Sequence, residues 1–386
     1  MKLIATAATI LTLPLLADAA RAGGAPVDGV PLRLVTLNLK EGLGAPADSA
    51  HQATGDFVTT NDLDGAGPNS GLNPDIVAFQ ECRSDANLLA FRDAYLPGFT
   101  YHRISQVDAG GNFQCLFVRP DIQVLDVDSY YIGGPRNLLR VTMQVPGVEG
   151  VLTVYNGHYK AFSDASSVAQ RRANADQTGI AVYTDIHSGL DLDDNGSRET
   201  PAGASIVIGD LNSNNNFDQT LNGLFTHAIN GMPTGVLNLP IETLGGQSVG
   251  GAPVLTTFPS SNSRLDYICL DSATASVFET DNVPGFSQAE LNAMGFVYYS
   301  GDDAGRQSNG DASATSFATD HRPVVFDIDL PAIAQPCVGD LNGDRVVDFA
   351  DLNILLSAFN TSGAGLSGDI DGDDDVDFAD LNILLG

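Results

Sequence analysis

Residues that could carry out chemistry stand at, or just after, the ends of short apolar runs along most of the chain. Eight of them are Asn38, Glu81, His158, Asp210, Asn212, Asp266, Asp320 and His321. These residue types suit the attack of water on phosphorus. A hard divalent cation prefers oxygen ligands, such as the Glu81 carboxylate and the Asn38 amide, and it acts as a Lewis acid on a phosphate oxygen.

The remaining residues suit the other roles that such a reaction needs. Asp210 can orient or deprotonate the water, and Asn212 can donate a hydrogen bond to the developing charge. If protonated, His158 and His321 can stabilise negative charge or protonate the leaving oxygen. A carboxylate such as Asp266 would fix a histidine tautomer and raise the imidazole pKa.

The elements that must position these side chains follow from the hydrophobic pattern. The alternation of apolar runs with helix-like stretches predicts an α/β domain. Strands are predicted at 32–37, 76–79, 115–118, 152–155, 206–208, 267–270 and 324–328, and helices at 85–95 and 166–186. If the strands pair, the polar residues converge on one rim of the sheets, where active sites usually lie.

Six motifs occur in the order found in one superfamily. They are Thr36-Leu37-Asn38, Gln80-Glu81, Asn156-Gly157-His158, Gly209-Asp210-Leu211-Asn212, Arg264-Leu265-Asp266-Tyr267 and Thr319-Asp320-His321-Arg322-Pro323-Val324. Together they resemble the endonuclease/exonuclease/phosphatase superfamily over about residues 32–330. The resemblance implies a DNase I-like four-layer α/β/β/α sandwich and phosphoester hydrolysis with Mg²⁺ (or Mn²⁺). It also implies that Glu81, Asn38 and Asp320 lie near the metal, and that Asp266 pairs with His321.

Two basic residues are candidate substrate contacts. Lys40 stands where nuclease members often place a second acidic metal ligand. This departure favours single-metal chemistry or a phosphate-binding lysine, and a degenerate site is the alternative. Arg136, in Gly134-Pro135-Arg136-Asn137, is a candidate phosphate contact.

The C-terminal end of the chain is an internal repeat with a period of 29 residues, starting at Gly339 and again at Gly368. Side chains suited to calcium fall at loop positions 1, 3, 5, 9 and 12 of both copies. They are Asp340, Asn342, Asp344, Asp348 and Asp351, then Asp369, Asp371, Asp373, Asp377 and Asp380. An apolar helical stripe follows each loop. Loop followed by helix resembles type I dockerins, which implies a small all-α Ca²⁺-binding module and a cohesin-type partner, although the recognition positions hold Phe-Ala.

The chain therefore divides into four parts. Residues 1–22 have the charged start, apolar stretch and Ala-Arg-Ala site of a secretory signal. The apolar stretch, Leu3 to Leu16, has 14 residues and contains Pro14, so it is shorter than the roughly 20 apolar residues of a spanning helix. Residues 23–331 form the hydrolase domain, 332–338 a linker, and 339–386 the dockerin-like domain with two EF-hand-type loops. A secreted or cell-surface protein without a transmembrane segment is expected.

Net charge and cysteine content limit which functions and which covalent bonds the sequence allows. The chain has 386 residues and a formal net charge of −30, which opposes passive nucleic-acid binding but allows metal-assisted turnover of phosphates. Export would permit disulfides among the four cysteines. Cys82 with Cys115 is the preferred pair, because both lie on predicted neighbouring strands.

Several substrates fit the predicted reaction. An extracellular nuclease is favoured, because His158 resembles the DNase and sphingomyelinase branch. A sphingomyelinase-like lipid phosphodiesterase ranks second, since the chain has no tryptophan and no obvious membrane-inserting loop. A small-molecule phosphatase and a catalytically inactive scaffold protein carried by the C-terminal module remain alternatives.

Overall fold

A computed structural model describes most of the predicted hydrolase domain and much of the repeat. The described residues are 29–59, 73–148, 150–192, 196–198, 200, 203–213, 228–229, 232–233, 237–240, 248–249, 252–253, 257–258, 261, 263–271, 295–297, 319–331, 339, 341–342, 347, 349–363 and 365–385. The predicted signal (1–22), the linker (332–338) and the predicted calcium ligands Asp340, Asp344 and Asp348 lie outside them.

The described strands and helices follow the alternation that the sequence predicts. The strands are β1 (Gly29–Asn38), β2 (Ile76–Cys82), β3 (Thr100–Arg103), β4 (Phe113–Val118), β5 (Gln123–Tyr130), β6 (Leu138–Gln144), β7 (Leu152–His158), β8 (Ala204–Asp210), β9 (Ala228–Ile229), β10 (Met232–Pro233), β11 (Leu237–Pro240), β12 (Ser248–Val249), β13 (Ala252–Pro253), β14 (Asp266–Asp271), β15 (Gly295–Val297), β16 (Val324–Pro331), β17 (Thr361–Ser362) and β18 (Asp375–Val376). The helices are α1 (Ser49–Thr59), α2 (Asp85–Tyr95), α3 (Ala165–Ser188), α4 (Phe349–Ala358) and α5 (Phe378–Leu385).

Two mixed sheets of six strands form the body of the described structure. Their orders are β15-β16-β1-β2-β4-β3 and β11-β14-β8-β7-β6-β5. Each sheet has one parallel pair at its centre, β1 with β2 and β7 with β8, and antiparallel neighbours on both sides. The central strands are buried on both faces, as continuous apolar runs predict.

The main core lies between the two sheets. Leu34 and Ala78 of the first sheet belong to the same buried cluster as Val154 and Ile208 of the second. On the other face of the first sheet, Phe91 of α2 contacts the ring of Phe79 at 5.7 Å. The elements therefore pack in layers, and the strand ends of both sheets can meet at a shared edge.

The second sheet is covered by α3, whose residues share a separate buried cluster with the strands. Ala175 and Val182 of this helix pack with Tyr155 and Val207. The helix starts at its N-cap Asp164, whose carboxylate accepts hydrogen bonds from the amides of residues 166 and 167. Helix α2 has the predicted bounds, and α3 extends the predicted helix by a residue or two at each end.

The predicted disulfide is absent from this structure. Cys82 and Cys115 are both fully buried free thiols, and their Sγ atoms lie 3.3 Å apart. The prediction that they are neighbours is confirmed and the bond between them is not formed. The strands explain the proximity, since β2 and β4 pair antiparallel and both cysteines lie beside the register shift between Phe79 and Cys82.

The C-terminal repeat forms two helices that pack through a small cluster containing Leu355, Val376 and Leu384. It was predicted to be all-α, but the described residues also contain a short antiparallel pairing in which Thr361 faces Val376. The pairing forms because the residues after α4 run beside the end of the second loop. No described helix has the length and apolar character needed to cross a membrane.

Candidate active site

The strand ends gather the predicted polar residues at one edge of the two sheets. Because β1 and β2 are parallel, Asn38 and Glu81 lie at the same end of the first sheet. In the second sheet, His158 and Asp210 are register partners at the ends of β7 and β8. The antiparallel strand β14 starts at this edge, because its first residue, Asp266, is paired with Asp210.

The segment before β16 brings in the last two predicted residues. Thr319 anchors it by donating from Oγ1 to the backbone oxygen of Asn38 at 2.5 Å. Asp320 then forms an ion pair with Lys40, with Nζ and Oδ2 3.1 Å apart, while His321 turns into the interior. Lys40 therefore neutralises a carboxylate that was predicted to lie near the metal.

A buried group of two carboxylates and one imidazole forms the centre of the site. His321 Nδ1 lies 2.7 Å from Oδ2 of Asp266, and its Nε2 lies 4.0 Å from Oδ2 of Asp210. Burial alone would lower the pKa of His321, but the charge and hydrogen bond of Asp266, and then the charge of Asp210, raise it to about 9. Burial, followed by the charge of Asp266, raises the pKa of Asp210. At neutral pH, His321 is therefore an imidazolium that donates from Nδ1 to Asp266.

The second histidine, His158, is neutral. Burial, then the charges of Arg136 and His321, hold the pKa of His158 well below its usual value. Nη1 of Arg136 lies 3.1 Å from Nε2 of His158, so the neutral ring accepts there and carries its proton on Nδ1. The same Nε2 is 3.6 Å from carboxylate oxygens of Glu81 and Asp210, but these contacts are not ion pairs because the ring is neutral.

Asn38 connects the carboxylates of the two sheets. Its Nδ2 donates to Oδ2 of Asp210 at 2.9 Å and lies 3.3 Å from Oε1 of Glu81. Its Oδ1 accepts from the backbone N–H of Lys40. Glu81 has φ +55° at the register shift between β2 and β4, and its Oε2 accepts from the backbone N–H of Glu41. A bulge in β2 thus directs this carboxylate toward the cleft.

Backbone contacts also fix Asn212 beside Asp210. Its backbone N–H donates to Oδ1 of Asp210 at 3.0 Å, and its Nδ2 donates to the carbonyl oxygen of Tyr159. Arg136 also donates to the Tyr159 carbonyl oxygen, from Nη1, and its Nε donates to the Asp108 carboxylate at 3.0 Å. The catalytic and substrate-binding roles predicted from the sequence remain predictions. Of the residues to which they were assigned, all except Asp266 line one cleft.

The Asn156 side chain, for which the sequence indicated no role, holds the β2 bulge from the side of the second sheet. Its Nδ2 donates to the backbone oxygens of Phe79 and Cys115, the paired residues immediately before the register shift. Its Oδ1 accepts from Nε2 of Gln80 at 2.7 Å. Asn156 lies in β7, so these bonds tie the second sheet to the first beneath Glu81. The amide that directly follows the run Leu152 to Tyr155 was the sequence feature that could have indicated this role.

The cleft has a volume of about 490 Å³. Its lining includes Asp210 and His321 together with residues that the sequence did not single out, among them Lys160, Phe162 and Phe258. The Phe258 ring lies 5.0 Å from that of His321. Lys160 and Phe162 follow directly after the His158 strand end, and this position was the signal that could have revealed them.

The buried group fits a divalent cation. Ligand atoms of Asp210, Asp266 and His321 lie within 4.8 Å of one another. Oδ1 of Asp266 is buried and has no hydrogen-bond partner among the described residues, so it lacks the donor or cation that such an oxygen requires. A metal-bound imidazole must be deprotonated, so an ion at this place competes with the proton on His321. The ligand set predicted from the resemblance, Asn38, Glu81 and Asp320, stays a prediction.

The second copy of the C-terminal repeat forms an acidic loop. Carboxylate oxygens of Asp369, Asp371 and Asp373 lie within 4.8 Å of one another, as do those of Asp375, Asp377 and Asp380. Buried Asp380 accepts from the backbone N–H groups of residues 370 and 371, and Asp351 does the same for residues 341 and 342. The two copies thus share the position-12 arrangement. Among the described residues of the first loop, Asn342 is exposed.

Comparisons with known proteins agree with this site. A profile described as "Endonuclease/Exonuclease/phosphatase family" matches residues 35–321, which include all eight polar residues introduced first. No curated protein matches the chain.

Three similar solved structures share 13–15% of their sequence with this chain. Truncated TDP2 from Caenorhabditis elegans has a TM-score of 0.46 and 13% identity, covering 78% of this chain and 97% of that chain. The endonuclease/exonuclease/phosphatase from Bacteroides vulgatus has a TM-score of 0.47 and 15% identity, and the match covers 78% of this chain and 99% of that chain. D. rerio TDP2 complexed with a single-strand DNA product has a TM-score of 0.44 and 15% identity, and the match covers 77% of this chain and 98% of that chain.

Proposed function

Because this chain belongs to the endonuclease/exonuclease/phosphatase family and is a metal-dependent phosphoester hydrolase, we propose that it is an extracellular nuclease that uses Mg²⁺ or Mn²⁺. The observation that carries the proposal is the buried group of Asp210, Asp266 and His321 behind an open cleft. A divalent ion held by the predicted ligands Asn38, Glu81 and Asp320, rather than by His321, would supply Lewis-acid polarisation of a phosphate oxygen and leave the His321 proton in place.

The protein groups divide the remaining work by their charge states. The imidazolium of His321, held by Asp266, keeps a proton on Nε2 that can be given to a phosphate oxygen. Asp210 can accept a hydrogen bond from the attacking water, because Asn38 and the backbone of Asn212 fix its two oxygens. Its raised pKa makes it a stronger base than an ordinary aspartate.

Three cations at the cleft favour a polyanionic substrate despite the overall charge. Lys40, Arg136 and Lys160 all line the cleft, within a chain whose formal net charge is −30. The same lining holds the carboxylates of Glu41, Glu81, Asp210 and Asp320, so the three cations bring the cleft close to neutral and lower the repulsion that the acidic surface elsewhere exerts on a phosphate. A lipid phosphodiesterase is the second candidate, favoured by the exposed ring of Phe162 at the same cleft.

The C-terminal module is proposed to bind two Ca²⁺ ions and to attach the enzyme to a cohesin-type protein. The support is the shared hydrogen bonding of Asp351 and Asp380, together with the clustered carboxylates of the second loop. Partial removal from water, followed by the charge of neighbouring Asp373, raises the pKa of Asp371 and of Asp375. A divalent ion would relieve this repulsion. Secretion is proposed from the signal-like residues 1–22.

A substrate screen tests the hydrolase proposal. The full chain would be assayed on DNA, RNA, sphingomyelin vesicles and phosphorylated small molecules, with EDTA, Mg²⁺ or Mn²⁺. Cleavage of nucleic acid that needs the metal and is lost in Asp210→Asn is expected. Asp93→Asn, an exposed carboxylate on α2, is the matched control. Metal-dependent cleavage of sphingomyelin alone would favour the second candidate, and no hydrolysis of any phosphoester would refute the proposal.

A further inference from the structure

Phe162 is an aromatic side chain held open at the mouth of the cleft. Its side chain is 72% exposed, and its backbone has φ +77°, a conformation that bulky residues rarely adopt. The ring lines the same cleft as Asp210 and His321. An exposed phenyl ring on a strained backbone needs a structural cause, because neither burial nor local preference provides one.

Contacts from α3 fix the strained segment. Nη1 of Arg171, a buried residue, donates to the backbone oxygens of Lys160 at 2.8 Å and of Phe162 at 3.0 Å. Two residues later, Asp164 caps the helix through its carboxylate. The loop is therefore tied to the helix on both sides of the ring, and Phe162 is presented in one place at little further entropic cost on binding.

The ring already has a cation beside it. Nζ of Lys160 lies 5.0 Å from the centroid of the Phe162 ring. The Lys160 ammonium can therefore bind a negative phosphate while the adjacent Phe162 ring stacks on a flat π-system. A nucleotide offers both groups at this spacing, and base stacking on an aromatic side chain is tolerant of sequence.

We infer that Phe162 is a stacking platform for the nucleobase next to the phosphate being hydrolysed, with Lys160 contacting a neighbouring phosphate. The inference rests on the proposed nuclease function and names the part of the substrate that the cleft recognises. Membrane insertion is less well supported by the surroundings. The residues beside Phe162 along the chain are Ala161, Ser163 and the exposed Asp164, whereas an inserting loop needs several apolar side chains.

The test compares substrates with and without the base. Wild type and Phe162→Ala would be assayed on single-stranded oligonucleotides that carry normal nucleotides, or abasic tetrahydrofuran residues, on both sides of one scissile phosphate. On the normal oligonucleotide, kcat/KM should fall by about 5- to 150-fold in the variant. On the abasic one, variant and wild type should agree within about twofold. Phe162→Tyr should restore most of the activity.

Tyr131→Ala is the matched control, since this tyrosine is 69% exposed and lies outside the residues lining the cleft. It should behave as wild type on both substrates. An equal loss for Phe162→Ala on normal and abasic oligonucleotides would overturn the inference, because the ring would then act without the base. Base-independent loss of binding to sphingomyelin vesicles would overturn it in favour of a lipid contact.

A binding measurement separates this inference from the proposed function. Fluorescence anisotropy of a labelled oligothymidylate and its abasic equivalent, both in EDTA, does not require turnover. If wild type hydrolyses no nucleic acid, the nuclease proposal fails. If it also binds the two probes equally, with no change in Phe162→Ala, the stacking platform fails independently. Tighter binding of the base-containing probe that is lost in the variant would support it.

Discussion

Asn156→Ala is expected to weaken both the fold and the active site, although the residue does not line the cleft. Asn156 is fully buried and makes three hydrogen bonds to the first sheet. The alanine would leave the backbone oxygens of Phe79 and Cys115 without this partner, whereas the Gln80 amide keeps Oγ1 of Thr36 as an acceptor. Each unsatisfied buried group costs about 1–3 kcal/mol, so the free energy of unfolding should fall by about 2–6 kcal/mol.

The same substitution should also lower kcat, because it alters the bulge that positions Glu81. The two oxygens belong to the residue pair that precedes the register shift, and the shift places Glu81 at φ +55°. Without the amide, the bulge can relax and move the Glu81 carboxylate. A displacement of about 1 Å in a positioned group costs up to 10²-fold in rate, so kcat should fall by about 10- to 100-fold.

Thermal unfolding and initial-rate assays would check both expectations. At about 2–4 °C per kcal/mol, the Tm of the variant should fall by about 4–24 °C. Thr153→Val is the matched control in the same strand, because its side chain makes one 3.4 Å hydrogen bond to Thr142. It should lose no more than about 1.5 kcal/mol and retain wild-type kcat. If Asn156→Ala matched this control in Tm and kcat, the bracing role of Asn156 would be wrong.

Four further outcomes are expected. Glu81→Gln and Asp210→Asn should each lower kcat by about 10² or more with the fold unchanged by circular dichroism, and wild-type turnover in either would contradict their assignment. The raised pKa of His321 should give an alkaline limb near pH 9 that moves to lower pH in Asp266→Asn; an unmoved limb would exclude His321 as its source. Since the folded pKa exceeds the unfolded one, this pair also contributes stability that is complete below about pH 6.5 and is lost as the pH rises through 9, which urea titrations should detect. Residues 337–386 of the full chain should take up two Ca²⁺ ions by calorimetry, and deleting them should leave hydrolysis intact; absence of a calcium heat would contradict the EF-hand interpretation.

Much of the positioning could be predicted from the sequence, because it depends on strand ends. The apolar run from Ile76 predicts β2, and a polar residue after such a run lies at the end of its strand. Parallel pairing then brings two ends together, as it does for His158 and Asp210. Helix α2 has its predicted bounds because Ser84 is a favourable N-cap whose hydroxyl accepts from the amide of residue 87.

The charge states and long-range contacts could not be predicted in this way. His158 and His321 were given the same protonated role. Burial lowers the pKa of both rings, but Arg136 adds to this shift at His158 whereas Asp266 reverses it at His321. The pairing of Lys40 with Asp320 joins residues 280 positions apart, and no local pattern indicates it. These features depend on which chain segments meet across the cleft.

The cleft draws its groups from both sheets, and this division has a consequence for how the protein loses function. Asn38 and Glu81 come from the first sheet, while His158, Asp210 and Asp266 come from the second. Each sheet keeps its own ladder of backbone hydrogen bonds if the two slide apart, but the reacting groups separate at once. Under mild denaturant, hydrolysis should therefore disappear while far-ultraviolet dichroism persists, so turnover reports the docking of the sheets before it reports their melting.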